Sequence, residues 1–193
     1  MIWLLACAGG DPADAGDPAA GDDTGDADTT DPLADDDARV RALTGLPEGD
    51  SPCAEPRLVR VEYTVDGDTF EANPDDGGYD FRVRIIGVDT PEIEHEDPAE
   101  CYGDEAWAWT ADLLEGKLVW LTFDAECEDD YDRTLAYVFR DATDEGFVNR
   151  ALARNGLAYE MTIRPNDTYA DEIEADIDAA RDESLGLWGA CQR

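Results

Sequence analysis

Between residues 57 and 88 the chain runs through RLVRVEY, DTFE and RVRIIGV, three β-branched segments separated by the turn signals Asp66-Gly67 and NPDDGG. Short β-branched runs bounded by Gly, Asp and Pro read as strands, so this stretch predicts a β-meander. The third segment is unusual. Val83, Ile85, Ile86 and Val88 suit a buried strand, yet Arg82 and Arg84 interrupt them and Asp89, Thr90, Pro91 and Glu92 follow at once. Two cations and two carboxylates beside an apolar strand cost stability unless something charged binds there.

After residue 101 the period changes. Tyr102, Ala106, Trp109 and Leu113 recur at helical spacing up to Gly116, predicting an amphipathic helix. LVWLTF at 118 to 123 and TLAYVF at 134 to 139 predict two more strands joined by the acidic loop DAECEDDYDR. A short helix over 148 to 155 ends at Gly156, and 157 to 161 predicts a further short strand. Tyr169, Ile173, Ile177 and Ala180 then mark a last helix. Five short antiparallel strands, with a helix between the third and fourth, outline an α+β fold: a five-stranded OB-type barrel with three α-helices.

That domain is expected over residues 53 to 193. Residues 8 to 52 are mostly Ala, Gly, Asp, Pro and Thr, a composition that buries too little apolar surface to offset its ordering entropy, and predict a disordered acidic tether. Before it, Leu4-Leu5-Ala6-Cys7 resembles the lipobox of bacterial lipoproteins, although no Lys or Arg precedes it. The expectation is an exported protein anchored to a membrane by lipid on Cys7. The remaining cysteines, Cys53, Cys101, Cys127 and Cys191, suit two disulfides in an oxidising compartment. Loop placement favours Cys101 with Cys127, leaving Cys53 with Cys191. A zinc site is disfavoured, since the chain has no C-x-x-C pair and one histidine, His95, best read as a solvated loop residue.

The formal net charge is −35, with 49 Asp and Glu against 14 Lys and Arg, and Lys117 is the only lysine. Such a balance repels nucleic acid and anionic lipid at long range, so it argues against partners held by a basic patch. It also suits concentrated salt, where at about 1 M the Debye length is only about 3 Å.

VDGDTF at 65 to 70, RVRIIGVDTPE at 82 to 92, YGDEA at 102 to 106, DYDRTLAYV at 130 to 138, NGLA at 155 to 158 and Pro165-Asn166, in this order, resemble the staphylococcal nuclease family over roughly residues 61 to 188. The resemblance implies a Ca²⁺-dependent phosphodiesterase that cuts DNA and RNA at the 5′-oxygen to leave 3′-phosphates. It implies Asp68 and Asp89 as Ca²⁺ ligands with the main-chain carbonyl of Thr90. Oxygen donors of this kind suit a hard cation that takes about 6 to 8 ligands. It implies Glu92 as the general base, or the group that orients the attacking water. Arg84 and Arg133 are implied as phosphate-binding cations, and Tyr131 as part of the nucleotide site. The chain is expected to act as a monomer.

Two departures stand out. Asp130 and Asp132 replace a basic residue and a glycine in the family's loop, and YEMTIR at 159 to 164 lacks the family's paired base-stacking tyrosines. A competing reading is a catalytically inactive OB-fold module that binds nucleic acid or protein. Such a module has no need of Arg84, Glu92, Arg133 and both acids together, and would want a basic, aromatic groove. A third reading, an acidic calcium buffer, lacks any D-x-[DN]-x-[DN]-G loop.

Overall fold

A computed structural model describes residues 31–93 and 98–191. Cys7 and His95 lie outside the described residues, as do residues 8–30 of the expected tether.

The strands are β1 (Arg57–Thr64), β2 (Thr69–Pro74), β3 (Phe81–Ile85), β4 (Gly87–Asp89), β5 (Leu118–Thr122), β6 (Thr134–Phe139) and β7 (Tyr159–Met161). The helices are α1 (Pro32–Arg41), α2 (Gly103–Leu114), α3 (Val148–Arg154), α4 (Ala170–Asp182) and the single turn α5 (Leu187–Ala190). The barrel closes in the order β1-β2-β3-β6-β5, which is the expected OB fold. Of its five seams, β3 with β6 is parallel, which corrects the expectation of an all-antiparallel barrel. A parallel seam needs a long connection, and α2 with β5 supplies it.

The third segment does not remain one strand. Gly87 takes φ +85°, a left-handed conformation costly for residues with a Cβ, and the chain turns there. β3 stays in the barrel while β4 leaves it to pair antiparallel with β7. Val83 and Ile85 are fully buried, and Arg82 pairs across the ladder with Glu71 at 2.8 Å. Arg82, one of the two cations that interrupt the apolar run, is thus half of a cross-strand ion pair.

Inside the barrel Val59, Val61, Phe70, Val83, Ile85, Leu121 and Val138 pack against Ala106 and Leu114 of α2 and against Ile173 and Ile177 of α4. Burial of α2 is centred on Ala106, Thr110 and Leu114, one residue round the helix from the apolar stripe. Thr110 accounts for that rotation: its hydroxyl donates to the Gly67 carbonyl at 2.7 Å, tying the helix to the Asp66–Asp68 turn.

The tether is corrected from residue 31 onward. Pro32 occupies the first turn of α1, and Asp31 caps it by accepting from the Leu33 amide at 3.0 Å. Val40 is fully buried, and its carbonyl accepts from Trp120 Nε1 at 2.9 Å. Asp36 pairs with Arg140, Asp37 with Arg60 and Arg41 with Asp75. Acidic composition conceals this docking because the arginine partners lie far along the chain.

A strap from residue 43 to residue 53 then follows the barrel wall. The Gly49 amide donates to Phe123 O at 2.9 Å, the Cys53 amide to Asp124 O at 2.8 Å, and Tyr169 Oη to Glu48 O at 2.9 Å. The disulfides are Cys53–Cys127 and Cys101–Cys191, each with Cα atoms 5.8 Å apart, so the expected pairs Cys101–Cys127 and Cys53–Cys191 are both corrected. The strap delivers Cys53 to the base of the β5–β6 loop, whereas Cys101 faces the C-terminal turn α5. Both bonds depend on contacts distant in sequence.

Candidate active site

Six of the residues singled out from sequence, Asp68, Arg84, Asp89, Glu92, Tyr131 and Arg133, line one cleft of about 470 Å³ between the barrel, the β5–β6 loop and β7. Each is placed by a different local device.

Asp68 immediately precedes β2, and its amide donates to Asp66 Oδ1 at 2.9 Å. It is buried. Its Oδ2 accepts from the Thr90 amide at 2.7 Å and the Thr90 hydroxyl at 3.1 Å, and its Oδ1 accepts from Thr69 Oγ1 at 3.1 Å. Thr90, itself buried, therefore fixes this carboxylate through its amide and hydroxyl, which leaves its carbonyl uncommitted to Asp68. Gly67 is required for that approach: a Cβ there would meet the Thr90 side chain at 2.7 Å.

Arg84 lies at the centre, with only 8% of its surface exposed. Its Nη1 reaches Asp68 Oδ1 at 2.8 Å and donates to the carbonyls of Ile85 at 2.8 Å and Val88 at 2.9 Å. Its Nη2 donates to Asp89 Oδ1 at 3.0 Å, with Met161 Sδ 3.7 Å away. A buried guanidinium between two carboxylates needs this many acceptors, because its fixed fork leaves every unused N–H desolvated. The strand kink at Gly87 supplies them by turning the Val88 carbonyl and Asp89 back toward Arg84.

The charge in the cleft is nonetheless unbalanced. Burial pushes the Asp68 carboxyl up to about 7; Arg84 and the Thr90 amide oppose the shift, and Asp66 and Asp89 add to it. Burial also raises Asp89, with Arg84 opposing and Glu100 and Asp66 adding. Asp66, Glu126, Glu128, Asp129 and Asp130 line the same cleft, where among the described residues Arg84 and Arg133 are the only cations. Raised carboxylates grouped around one arginine favour a further cation. Among the described residues the charged donors are carboxylate oxygens, which fits a hard cation such as Ca²⁺ or Mg²⁺. Among the described residues no group of three or more His, Cys, Asp or Glu side chains could by itself hold a metal ion. Two carboxylates plus a backbone carbonyl would leave the remaining positions to water and ligand.

Glu92 is exposed at the mouth of the cleft. Its backbone is held from both sides: the Glu100 amide donates to Glu92 O at 2.8 Å, and the Glu92 amide donates to Glu100 Oε2 at 3.2 Å. Gly103, the first residue of α2, permits this packing, since a Cβ there would stand 2.2 Å from Glu92 O.

The β5–β6 loop places Arg133. Asp129 organises it: Oδ1 accepts from the amides of Tyr131 at 2.9 Å and Arg133 at 3.0 Å, and Oδ2 takes Arg133 Nε at 2.7 Å. Burial works against the Asp129 charge, but the Arg133 amide and guanidinium and the Tyr131 amide outweigh it and hold the carboxyl below its ordinary value. Tyr131 is 79% exposed, and the Arg133 Cζ lies 5.3 Å from its ring centre. Asp132 takes φ +59°. The glycine typical of the family at this position is thus explained by backbone, and Asp is among the side chains that tolerate that region best. Asp130 lines the cleft and Asp132 does not, so the charge departure reduces to one residue.

Asp129, Glu100 and Thr110 were not singled out from sequence, although Asp129 directly precedes the DYDR motif. Asn166 was, within its Pro-Asn pair, and it clamps the other side of the loop: Oδ1 accepts from the Glu126 amide at 2.8 Å and Nδ2 donates to Glu126 O at 2.9 Å. Met161 and Ile163 line the cleft where paired tyrosines were absent from the sequence, and Ile163 is 68% exposed.

A closed OB barrel carrying an arginine between two carboxylates at its rim defines the class to which this chain belongs. The profile of the staphylococcal nuclease homologue family matches residues 82–190. The chain is 42% identical over 129 residues to the thermonuclease of Staphylococcus intermedius, covering 66% of this chain and 74% of that protein. It is 35% identical over 136 residues to the thermonuclease of Staphylococcus hyicus, covering 70% and 78%. It is 34% identical over 136 residues to the SPbeta prophage-derived endonuclease YokF of Bacillus subtilis, covering 67% of this chain and 43% of that one. The chain belongs to the staphylococcal nuclease family.

Proposed function

We propose that this chain is a Ca²⁺-dependent nuclease that hydrolyses phosphodiester bonds of DNA and RNA at the 5′-oxygen and leaves 3′-phosphates. The observation that carries this reading is the convergence of Arg84, Asp68, Asp89, Glu92 and Arg133 on one cleft. A polynucleotide phosphate there meets two fixed guanidiniums. Nη1 of Arg84 is committed to backbone carbonyls and Asp68, so Nη2, beside Asp89 and Met161, is the edge that turns to the phosphate. Arg133 is gripped by Asp129 through Nε and Nη2, leaving Nη1 for a phosphate oxygen. Prealigned guanidiniums stabilise charge that grows on the phosphoryl oxygens in the transition state. Glu92 takes a proton from the attacking water as its oxygen bonds to phosphorus, the P–O5′ bond breaks, and the departing 5′-oxygen takes up a proton from solvent, so that a 3′-phosphate and a 5′-hydroxyl result. Asp68, Asp89 and the Thr90 carbonyl would hold the Ca²⁺, which supplies charge neutralisation at the phosphate when bound.

Purified protein is expected to degrade plasmid with Ca²⁺ and to stop in chelator. Undiminished cleavage in chelator would overturn the metal assignment. Absence of cleavage under every divalent cation would favour an inactive binding module instead.

We further propose that the protein is exported, acts as a monomer and is held to a membrane by lipid on Cys7. Two disulfides support an oxidising compartment. Metabolic labelling with a radiolabelled fatty acid should mark the wild type and not Cys7→Ser; equal labelling of both refutes the anchor.

A further inference from the structure

Among the described residues every arginine but one is ion-paired to a carboxylate, and the exception is Arg57 at the start of β1. In a chain with 49 acidic residues and 14 basic ones, an exposed guanidinium without a carboxylate partner stands out. It is not loose. The Arg57 Cζ sits 4.8 Å from the centre of the Phe81 ring, a stacking that orients the planar fork without using its N–H donors.

Arg57 lines an open groove of about 250 Å³ together with Phe123, Cys127, Glu128 and Thr134. Glu128 borders both this groove and the active-site cleft, and Thr134 directly follows Arg133, so the two sites share the β5–β6 loop as a common wall. The groove thus lies at the base of the β5–β6 loop that carries Arg133. Glu55 and Glu128 border it as well, which limits the groove to one cationic contact instead of a basic track.

We propose that Arg57 binds a phosphate of the polynucleotide substrate outside the scissile one, making this groove a subsite that favours longer strands. The proposal rests on the nuclease reading of the adjoining cleft. Its chemistry is that of a polyanion with regularly spaced phosphates: one is seated at Arg84 and Arg133, and another along the same strand reaches the preoriented fork of Arg57. Because the surface is otherwise acidic, this single contact carries an unusual share of the attraction for substrate beyond the cleft.

The test compares full-length wild type, Arg57→Gln and Arg57→Lys with Ca²⁺, on a single-stranded DNA about 20 nucleotides long and on a dinucleotide holding only the scissile phosphate. Arg57→Gln is expected to raise KM on the long strand about five- to tenfold, the effect of losing one charge-assisted contact, with kcat unchanged. KM on the dinucleotide should not move. Arg57→Lys should recover part of the loss, since it restores charge without the planar fork. Against log[NaCl], the slope of log(1/KM) for Arg57→Gln should differ from that of wild type by about 0.7, the increment for one phosphate contact on a single strand. Arg181→Gln, which removes an equal charge from α4, should leave both KM values in place. Equal KM on the long strand for wild type and Arg57→Gln, or an equal rise on both substrates, overturns the proposal. If wild type cleaves neither substrate the nuclease reading fails, and fluorescence anisotropy on the labelled long strand still decides: weaker binding by Arg57→Gln sustains the subsite, and unchanged binding overturns it.

Discussion

Cys53→Ala/Cys127→Ala removes the covalent bond between the strap and the base of the loop that carries Arg133. The bond closes a sequence separation of 74 residues. Loop-closure entropy for a ring of that size is roughly 4.4 kcal/mol at 25 °C, and the surviving Cys101–Cys191 bond keeps the unfolded chain partly constrained, so about 3 to 4 kcal/mol is expected. At about 2 to 4 °C per kcal/mol for a chain of this length, Tm should fall by roughly 6 to 16 °C in circular-dichroism melts. Activity should behave differently. The loop is closed by its own bonds, Leu135 N to Cys127 O at 2.8 Å and Asp129 N to Arg133 O at 3.1 Å, and by the Asp129–Arg133 pair. Initial rates on single-stranded DNA at 25 °C should therefore stay within about threefold of wild type, under about 0.7 kcal/mol of barrier. A Tm shift below about 2 °C would refute the entropic estimate. A rate loss above about tenfold in protein that is still folded would refute the assignment of loop geometry to hydrogen bonds.

Arg84→Ala is expected to lower kcat by about 10² to 10³, as removal of one preoriented donor does, and a loss under about tenfold in steady-state assays would contradict its role. Asp129 has a carboxyl held below its ordinary value, so its contribution to stability is fully present above the unfolded carboxylate pKa of about 3.9 and is lost as pH falls through the lower folded value. Urea titrations should accordingly show Asp129→Asn less stable than wild type at neutral pH, with the gap closing only below about pH 4; a gap that is constant down to pH 2 argues against it. With a net charge of −35, Tm should rise between about 0.1 and 2 M NaCl as self-repulsion is screened, and a flat or falling curve would exclude high-salt adaptation.

The strands, the helices α2 to α4 and their order were legible because each depends on a short window. Strand runs, the α4 stripe and the αL cap at Gly156, observed at φ +65°, all express local periodicity or a single backbone preference. Six residues of one cleft were legible for a different reason: motif order marks them although their spacing along the chain does not. Asp129 and Thr110 were harder to find because their task is to hold another residue, and a helix stripe shows which side is buried without showing that one buried position is a hydroxyl bonded to Gly67.

By itself the sequence determined the barrel, the helices α2, α3 and α4 and the identity of the charged groups, since these follow from periodicity, turn chemistry and residue type. Tertiary structure alone decided that β3 and β6 run parallel, that Gly87 diverts the chain into β4, that the strap docks and that Cys53 meets Cys127. It also decided that Arg57 alone of the described arginines is left without a carboxylate while Arg84 sits between two. The physical reason is common to these cases: pairings of cysteines, ions and strand edges are settled by which surfaces meet after collapse, and no local pattern in the chain encodes that choice.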